Sequence, residues 1–264
     1  MKIETSLWYT NLSSVRDAPL RLFCFPYAGG SAQVFHNWPQ ALAPSVEVWA
    51  LNLPGRGRRA MEPPFTELAA LVETITTALT PLLGQPFAFF GHSMGALISY
   101  EICRLLRKNR LPLPVHLLAS ACFAPHIPDP HPLHHLETRE FLREVCSFGG
   151  MPKEVAENEE LLALILPALR ADFTMTECYS YKREAPFPCP ISVFGGWRDP
   201  LTTRESLEAW RMHTNRYFSV RMLPGDHFFI HNSEKYLLDL IRSELSRTGT
   251  MKQGEDVGLT AGSR

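Results

Sequence analysis

Residues 91–95 carry the pattern G-x-S-x-G, with Ser93 at the centre. An apolar run at 87–90 precedes them and predicts a short buried strand, and residues 96–108 follow with the apolar spacing of a helix. A turn this sharp between strand and helix needs small residues on both sides of the serine, and it exposes the hydroxyl at the start of the helix. The pattern therefore predicts Ser93 as a nucleophile, the alternative being a structural serine.

A serine hydroxyl is a weak nucleophile and needs a base, which in turn needs an acid to orient it. His227 lies just after the last predicted strand and is the candidate base; His231, further along, competes with it. Asp199 directly follows a predicted strand, where the acid of a Ser–acid–His chain order belongs. Its alternative role is a helix cap before Pro200.

The other aspartates between Ser93 and His227 suit the acid role less well. Asp129 and Asp172 fall in a predicted insertion, and Asp226 adjoins His227 and is poorly placed to reach its neighbour's ring.

A tetrahedral intermediate also needs two backbone donors for its oxyanion. The serine turn supplies one, the amide of Met94. The second is expected from residues 25–32, after the predicted strand at 20–25, where Gly29 and Gly30 let the backbone turn. The alternatives are a flexible turn or a phosphate-binding loop, but the glycine–lysine context of a P-loop is missing.

Four histidines lie close together in a proline-rich stretch: His126, His131, His134 and His135. No cysteine or carboxylate stands at a regular ligand spacing from them. We therefore expect solvated loop histidines and no metal site.

The elements that must position these residues alternate along the chain. Near-continuous apolar runs predict strands at 20–25, 46–51, 87–90, 115–122, 191–194 and 219–223, and helical patterns fall at 66–79, 96–108, 204–212 and 234–247. Such runs favour a mostly parallel sheet buried on both faces by helices, so the fold class is α/β.

Residues 125–190 break this alternation. They open and close with prolines and carry helical patterns at 138–146 and at 155–170, continuing to about 181. We expect residues 1–124 and 191–247 to form the core and 125–190 a helical lid insertion, or else a subdomain that only stiffens the fold. The polar residues 248–264 are expected to be a disordered tail.

Composition limits the classes of function. The chain has 264 residues and a net charge of −1, which gives no general affinity for nucleic acid or anionic membrane. No signal peptide or membrane-spanning stretch is evident, and six scattered cysteines suggest reduced thiols. We expect a cytoplasmic monomer.

Five ordered segments together resemble the type II thioesterases of the α/β-hydrolase superfamily, stand-alone enzymes of polyketide, nonribosomal peptide and fatty acid synthase systems. The resemblance covers about residues 8–245 and is carried by residues 25–32, 53–59, 90–96, 195–200 and 224–229. It implies an α/β-hydrolase fold with a helical lid. It also implies Ser93 as nucleophile, His227 as base, Asp199 as acid, and the Ala28 and Met94 amides as the oxyanion hole.

The resemblance further implies hydrolysis of acyl groups from the phosphopantetheine arm of acyl or peptidyl carrier proteins, without metal or redox cofactor. The expected role is editing, the removal of aberrant or stalled acyl groups. A medium-chain fatty acyl-carrier thioesterase, a general carboxylesterase, an acyltransferase and an inactive carrier-binding subunit are the alternatives.

A local basic cluster follows the strand predicted at 46–51. Carrier proteins are generally acidic, so Arg56, Arg58 and Arg59 are candidates for contact with the carrier or with its phosphopantetheine phosphate. The alternative is a solvated loop or ion pairs within the chain.

Overall fold

One seven-stranded sheet organises the part of the chain that the computed structural model describes, residues 5–151 and 153–249. Its spatial order is β1-β3-β2-β4-β5-β6-β7, and every neighbouring pair is parallel except β1 with β3. The strands are β1 Tyr9–Asn11, β2 Leu20–Phe25, β3 Val46–Leu51, β4 Phe87–His92, β5 Leu117–Ser120, β6 Ile191–Gly196 and β7 Phe218–Leu223. The mostly parallel sheet confirms the predicted α/β-hydrolase fold class.

Helices connect the strands on both faces of the sheet. They are α1 Thr5–Trp8, α2 Trp38–Leu42, α3 Leu68–Leu79, α4 Met94–Lys108, α5 Thr138–Ser147, α6 Lys153–Ala156, α7 Glu159–Glu177, α8 Arg204–Glu208, α9 Phe229–Asn232 and α10 Glu234–Ser246. Short 3₁₀ helices span Ala32–Phe35, Gly57–Arg59, Thr80–Leu82 and Ala209–His213. The helix predicted at 204–212 is therefore α8 followed by a 3₁₀ helix.

Strand β4 shows how the sheet is buried on both sides. Phe89 joins the apolar cluster that contains Ile98 of α4, and Phe90 joins the opposite cluster with Trp38 of α2 and Ile241 of α10. Successive side chains of a strand point to opposite faces, so burial on both faces requires a continuous apolar run. This is why the central strands read as unbroken apolar segments.

The observed strands differ from the predicted ones in two places. The edge strand β1 was not predicted, because its three residues, Tyr9 to Asn11, are too few for a periodic signal. The strand predicted at 115–122 is limited to Leu117–Ser120, since Ala121 has φ +49° and turns the chain out of the sheet.

Helices α5, α6 and α7 lie between β5 and β6 and have an apolar cluster of their own. Phe141 and Val145 of α5 pack with Met151 and Leu169, and the Arg170 guanidinium lies 4.4 Å from the Phe141 ring centroid. The exact division at 124/125 and 190/191 and a lid function stay predictions. The predicted disordered tail lies outside the described residues, apart from positions 248 and 249.

Candidate active site

Ser93 occupies a strained turn between β4 and α4, with φ 53° and ψ −120°. A Cβ on Gly91 would lie 2.2 Å from the carbonyl oxygen of Gly95, and a Cβ on Gly95 would lie 2.1 Å from that of Phe25. The Ser93 amide donates to the Ser120 carbonyl at 2.7 Å. Backbone atoms thus crowd both glycines, which holds Ser93 at the start of α4.

Asp199 and His227 form a buried pair beyond the ends of β6 and β7. The His227 Nδ1–H donates to Asp199 Oδ2 at 2.9 Å, and the two side chains are 4% and 0% exposed. Asp199 also accepts from the Leu201 amide at 2.8 Å and from the Thr202 hydroxyl at 2.6 Å. The carboxylate therefore fixes the ring and leaves Nε2 as the proton acceptor.

Competing effects act on the Asp199 carboxyl. Burial by itself would raise its pKa, but the hydrogen bond and charge of His227 outweigh burial and hold the pKa below its usual value. The Thr202 and Leu201 hydrogen bonds act in the same direction. The group stays ionised at neutral pH and can stabilise a protonated His227 ring.

His92 lies behind this pair and supports it. Its Nε2–H donates to the His227 carbonyl oxygen at 2.9 Å, and its Nδ1 accepts from the Ser120 hydroxyl at 2.9 Å. Burial, reinforced by His227, lowers the pKa of His92 well below its usual value, so the ring is neutral. Sequence reasoning missed this supporting role, because no local pattern signals a contact across 135 positions.

The structure does not bring His231 to Asp199. Its Nε2 lies 2.8 Å from the Tyr27 hydroxyl, and the residue belongs to α9. Of the two candidate bases, His227 is the one paired with the acid.

Ala28 and Met94 both line the cavity that contains Ser93. Within residues 5–151 and 153–249, neither amide donates a hydrogen bond to another protein group. The turn that carries Ala28 is closed by the Gly30 amide, which donates to the Tyr27 carbonyl at 2.9 Å. Two donors near one serine suit a developing oxyanion.

The cavity has a volume of about 730 Å³, within the range of small-molecule sites. Ser93 and His227 line it together with Phe148 and Phe173 of the segment between β5 and β6. Polar groups also reach it, among them His126, whose Nδ1 lies 2.9 Å from His213 Nε2. The wall is thus shared between the sheet and the helical segment, and it is partly polar.

Two of the three arginines considered for carrier contact are engaged inside the chain. Arg56 pairs with Asp172, and Arg59 pairs with Glu62 while its guanidinium lies 4.0 Å from the Trp8 ring centroid. These ion pairs agree with the alternative given for Arg56 and Arg59, and contact of the three arginines with a carrier stays a prediction. Arg58 is exposed.

The histidine-rich stretch forms ordinary contacts. His134 Nδ1 lies 2.7 Å from Glu177 Oε2, and the His131 amide donates to Asp129. In the described ranges, no three histidine, cysteine, aspartate or glutamate side chains converge as a metal site. Likewise, none of the described helices has the length and apolar character needed to cross a bilayer.

Comparisons with known proteins give a consistent result. The Thioesterase domain family model matches residues 20–245. A protein of Brevibacillus parabrevis named linear gramicidin dehydrogenase LgrE is 44% identical over 247 residues, which cover 92% of this chain and 94% of the relative.

Solved thioesterase structures are also similar. RedJ, a thioesterase from the prodiginine pathway of Streptomyces coelicolor, superimposes with a TM-score of 0.81 at 38% identity, covering 86% of each chain. BorB, a type II thioesterase from the borrelidin biosynthetic cluster, gives 0.82 at 32% identity, covering 90% of this chain and 98% of its own.

Proposed function

The chain belongs to the thioesterase family, and from that premise we propose that Ser93, His227 and Asp199 hydrolyse acyl thioesters on the phosphopantetheine arm of carrier proteins. The observation that carries this proposal is the buried Asp199–His227 pair, whose histidine lines one cavity together with Ser93, Ala28 and Met94. The likeness to a protein named for linear gramicidin and to a type II thioesterase of the borrelidin biosynthetic cluster supports the choice of a carrier-bound substrate.

The first half-reaction acylates Ser93. His227 Nε2 removes the hydroxyl proton while Oγ attacks the thioester carbonyl carbon, and the oxyanion accepts hydrogen bonds from the Ala28 and Met94 amides. Asp199 stabilises the protonated ring. The intermediate collapses with cleavage of the C–S bond, and His227 returns the proton to the departing pantetheine thiolate.

The second half-reaction releases the acid. His227 takes a proton from water, the resulting hydroxide attacks the Ser93 ester, and the second tetrahedral intermediate collapses with the proton returned to Oγ. This scheme uses no metal or redox cofactor. The carrier protein is the partner, and we propose a cytoplasmic monomer that acts on it in trans.

The biological role we propose is editing, in which aberrant or stalled acyl groups are cleared from carriers. A cavity of about 730 Å³ with both apolar and polar walls suits acyl groups of varied chemistry better than one fixed chain.

The name of the gramicidin relative contains the word dehydrogenase, which would mean hydride transfer to a dinucleotide and not hydrolysis. Residues 55–60 match the G-x-G-x-x-A spacing of dinucleotide sites. Such a site needs a helix directly after the glycines, whereas this segment continues into the three-residue 3₁₀ helix Gly57–Arg59 and Arg56 is tied to Asp172. The local geometry therefore does not fit a dinucleotide-binding site.

The test compares acyl-carrier protein, acyl-coenzyme A and a simple ester as substrates, with intact-carrier mass as the readout. Wild type should remove the acyl mass from the carrier and Ser93→Ala should not. Ser99→Ala is the matched control, because Ser99 lies one turn into the helix that follows Ser93 and its hydroxyl donates to the Ala96 carbonyl. Cleavage of the ester alone would overturn carrier specificity and support a carboxylesterase.

A further inference from the structure

The segment at residues 53–59 has no part in the chemistry described above, yet it is joined to the site by one buried carboxylate. Asp172 of α7 accepts from Arg56 through both oxygens, with Nη2 2.7 Å from Oδ1. Its Oδ2 also accepts from the Gly29 amide at 2.8 Å. The Asp172 and Arg56 side chains are only 3% and 10% exposed. Three distant segments therefore meet at a single ion pair.

Close packing fixes the same three segments sterically. Gly29 has φ +77°, and a Cβ there would lie 3.0 Å from Leu169 Cδ1 of α7. Gly55 has φ +80°, and a Cβ there would lie 3.0 Å from Ala168 Cβ of the same helix. Residues 168 and 169 of α7 thus lie directly against both glycine turns, and a side chain at either glycine would require its neighbour in α7 to shift.

These contacts control the orientation of two successive peptide planes. The Gly30 amide donates to the Tyr27 carbonyl, which fixes the plane that also carries the Ala28 N–H. The next plane, between Ala28 and Gly29, is fixed because the Gly29 N–H is held by Asp172. Without that acceptor the Ala28–Gly29 plane can rotate, which loosens the Tyr27–Gly30 turn and lets the neighbouring plane with the Ala28 N–H shift.

We propose that Asp172 and Arg56 are positioning residues that set the Ala28 amide for the oxyanion, so that the docking of α7 and the completeness of the oxyanion hole are coupled. This inference rests on the oxyanion role proposed above for Ala28. Arg56 compensates the charge of Asp172, since a buried carboxylate without a partner is strongly unfavourable and would leave the site.

The proposal predicts a specific kinetic signature. Removal of one oxyanion donor costs about 10²–10³ in kcat, and a misplaced donor costs part of that. Asp172→Ala and Arg56→Met should each lower kcat by about 10- to 100-fold, with KM changed by less than about threefold. Inhibition by an acyl trifluoromethyl ketone, which forms an oxyanion on Ser93, should weaken in parallel with kcat/KM.

Two further variants separate positioning from general stability. Arg56→Lys keeps the compensating charge but loses one of the two hydrogen bonds to Asp172, so its kcat should lie between those of Arg56→Met and wild type. Arg170→Met loosens the same helix without touching the glycine turns, because Arg170 donates to the His134 and Leu136 carbonyls. It should leave kcat unchanged when rates are normalised to the active fraction, measured by titration with a fluorophosphonate.

The outcomes are distinguishable. Wild-type kcat in Asp172→Ala, or an equal loss in Arg170→Met, overturns the positioning role while Ser93→Ala still reports on the proposed function. If Asp172→Ala does not fold, the comparison of Arg56→Met with Arg56→Lys decides, and equal kcat in these two proteins and wild type overturns the proposal. Activity retained in Ser93→Ala would instead overturn the proposed function itself.

Discussion

Replacing Asp199 with asparagine should keep the shape of the site and reverse its central hydrogen bond. The Leu201 amide donates to Oδ1, so the asparagine carbonyl oxygen must take that position. The amide NH₂ then occupies the Oδ2 position and faces His227 Nδ1, because the Thr202 hydroxyl there can rotate to accept. His227 would carry its proton on Nε2, the nitrogen that must accept from Ser93.

The expected fall in kcat has two causes, the wrong tautomer of His227 and the lost negative charge beside it. In serine triads this exchange lowers kcat by about 10⁴, which corresponds to about 5 kcal/mol of transition-state stabilisation. Both partners are nearly fully buried here, so water does not replace the lost charge. We expect Asp199→Asn to lower kcat at pH 7.5 by 10³- to 10⁴-fold, with a melting temperature within a few degrees of wild type.

The assay is single-turnover hydrolysis of an acyl-carrier protein, with Asp226→Asn as the control. Asp226 adjoins His227 in sequence, but its Oδ1 accepts from the Phe228 amide, and asparagine supplies the same acceptor. The control should retain at least half of the wild-type rate. An Asp199→Asn rate within tenfold of wild type would refute the reasoning from hydrogen-bond direction.

Three further predictions concern stability and reactivity. Gly95→Ala should lower the free energy of unfolding by at least about 3 kcal/mol, because its Cβ would meet the Phe25 carbonyl. Gly84→Ala is the control, since a Cβ there meets open space and should not lower stability. Urea unfolding of both variants measures the difference, and equal stabilities would contradict the crowding at Gly95. Burial lowers the pKa of His116 to about 4, so the unfolded chain binds more protons between pH 6.5 and 4 and stability falls as pH falls through that window. Between pH 6.5 and 4, the free energy of unfolding of His116→Gln should therefore fall by about 3 kcal/mol less than that of wild type. Identical pH dependence of stability in the two proteins would contradict the lowered pKa of His116. Among the described cysteines Cys178 is the exposed one, while Cys122 and Cys146 are half-buried and the other three are buried. Cys178→Ser should therefore abolish the fastest phase of labelling by a thiol reagent in the native protein, and persistence of that phase would contradict its assignment to Cys178.

Local patterns carried much of the fold and the reactive groups. The turn around Ser93 could be predicted from a few adjacent residues, because backbone crowding at a sharp turn restricts which residues fit there. The strand ends that hold Asp199 and His227 could likewise be predicted from short local patterns. Contacts between distant segments leave no such trace. Nothing in the local sequence of Arg56 indicates its ion pair with Asp172, which is 116 positions away. The hydrogen bond of His92 to the His227 carbonyl cannot be predicted from local sequence either.

Identification of the covalent intermediate tests most directly whether Ser93 is the nucleophile. Acyl-carrier protein is mixed with enzyme, quenched in acid within milliseconds, digested and analysed by mass spectrometry. If Ser93 is the nucleophile, an acyl mass should be found on the peptide that contains Ser93, transient in wild type and absent in Ser93→Ala. An acyl group on any other residue, or rapid turnover by Ser93→Ala, would contradict this role.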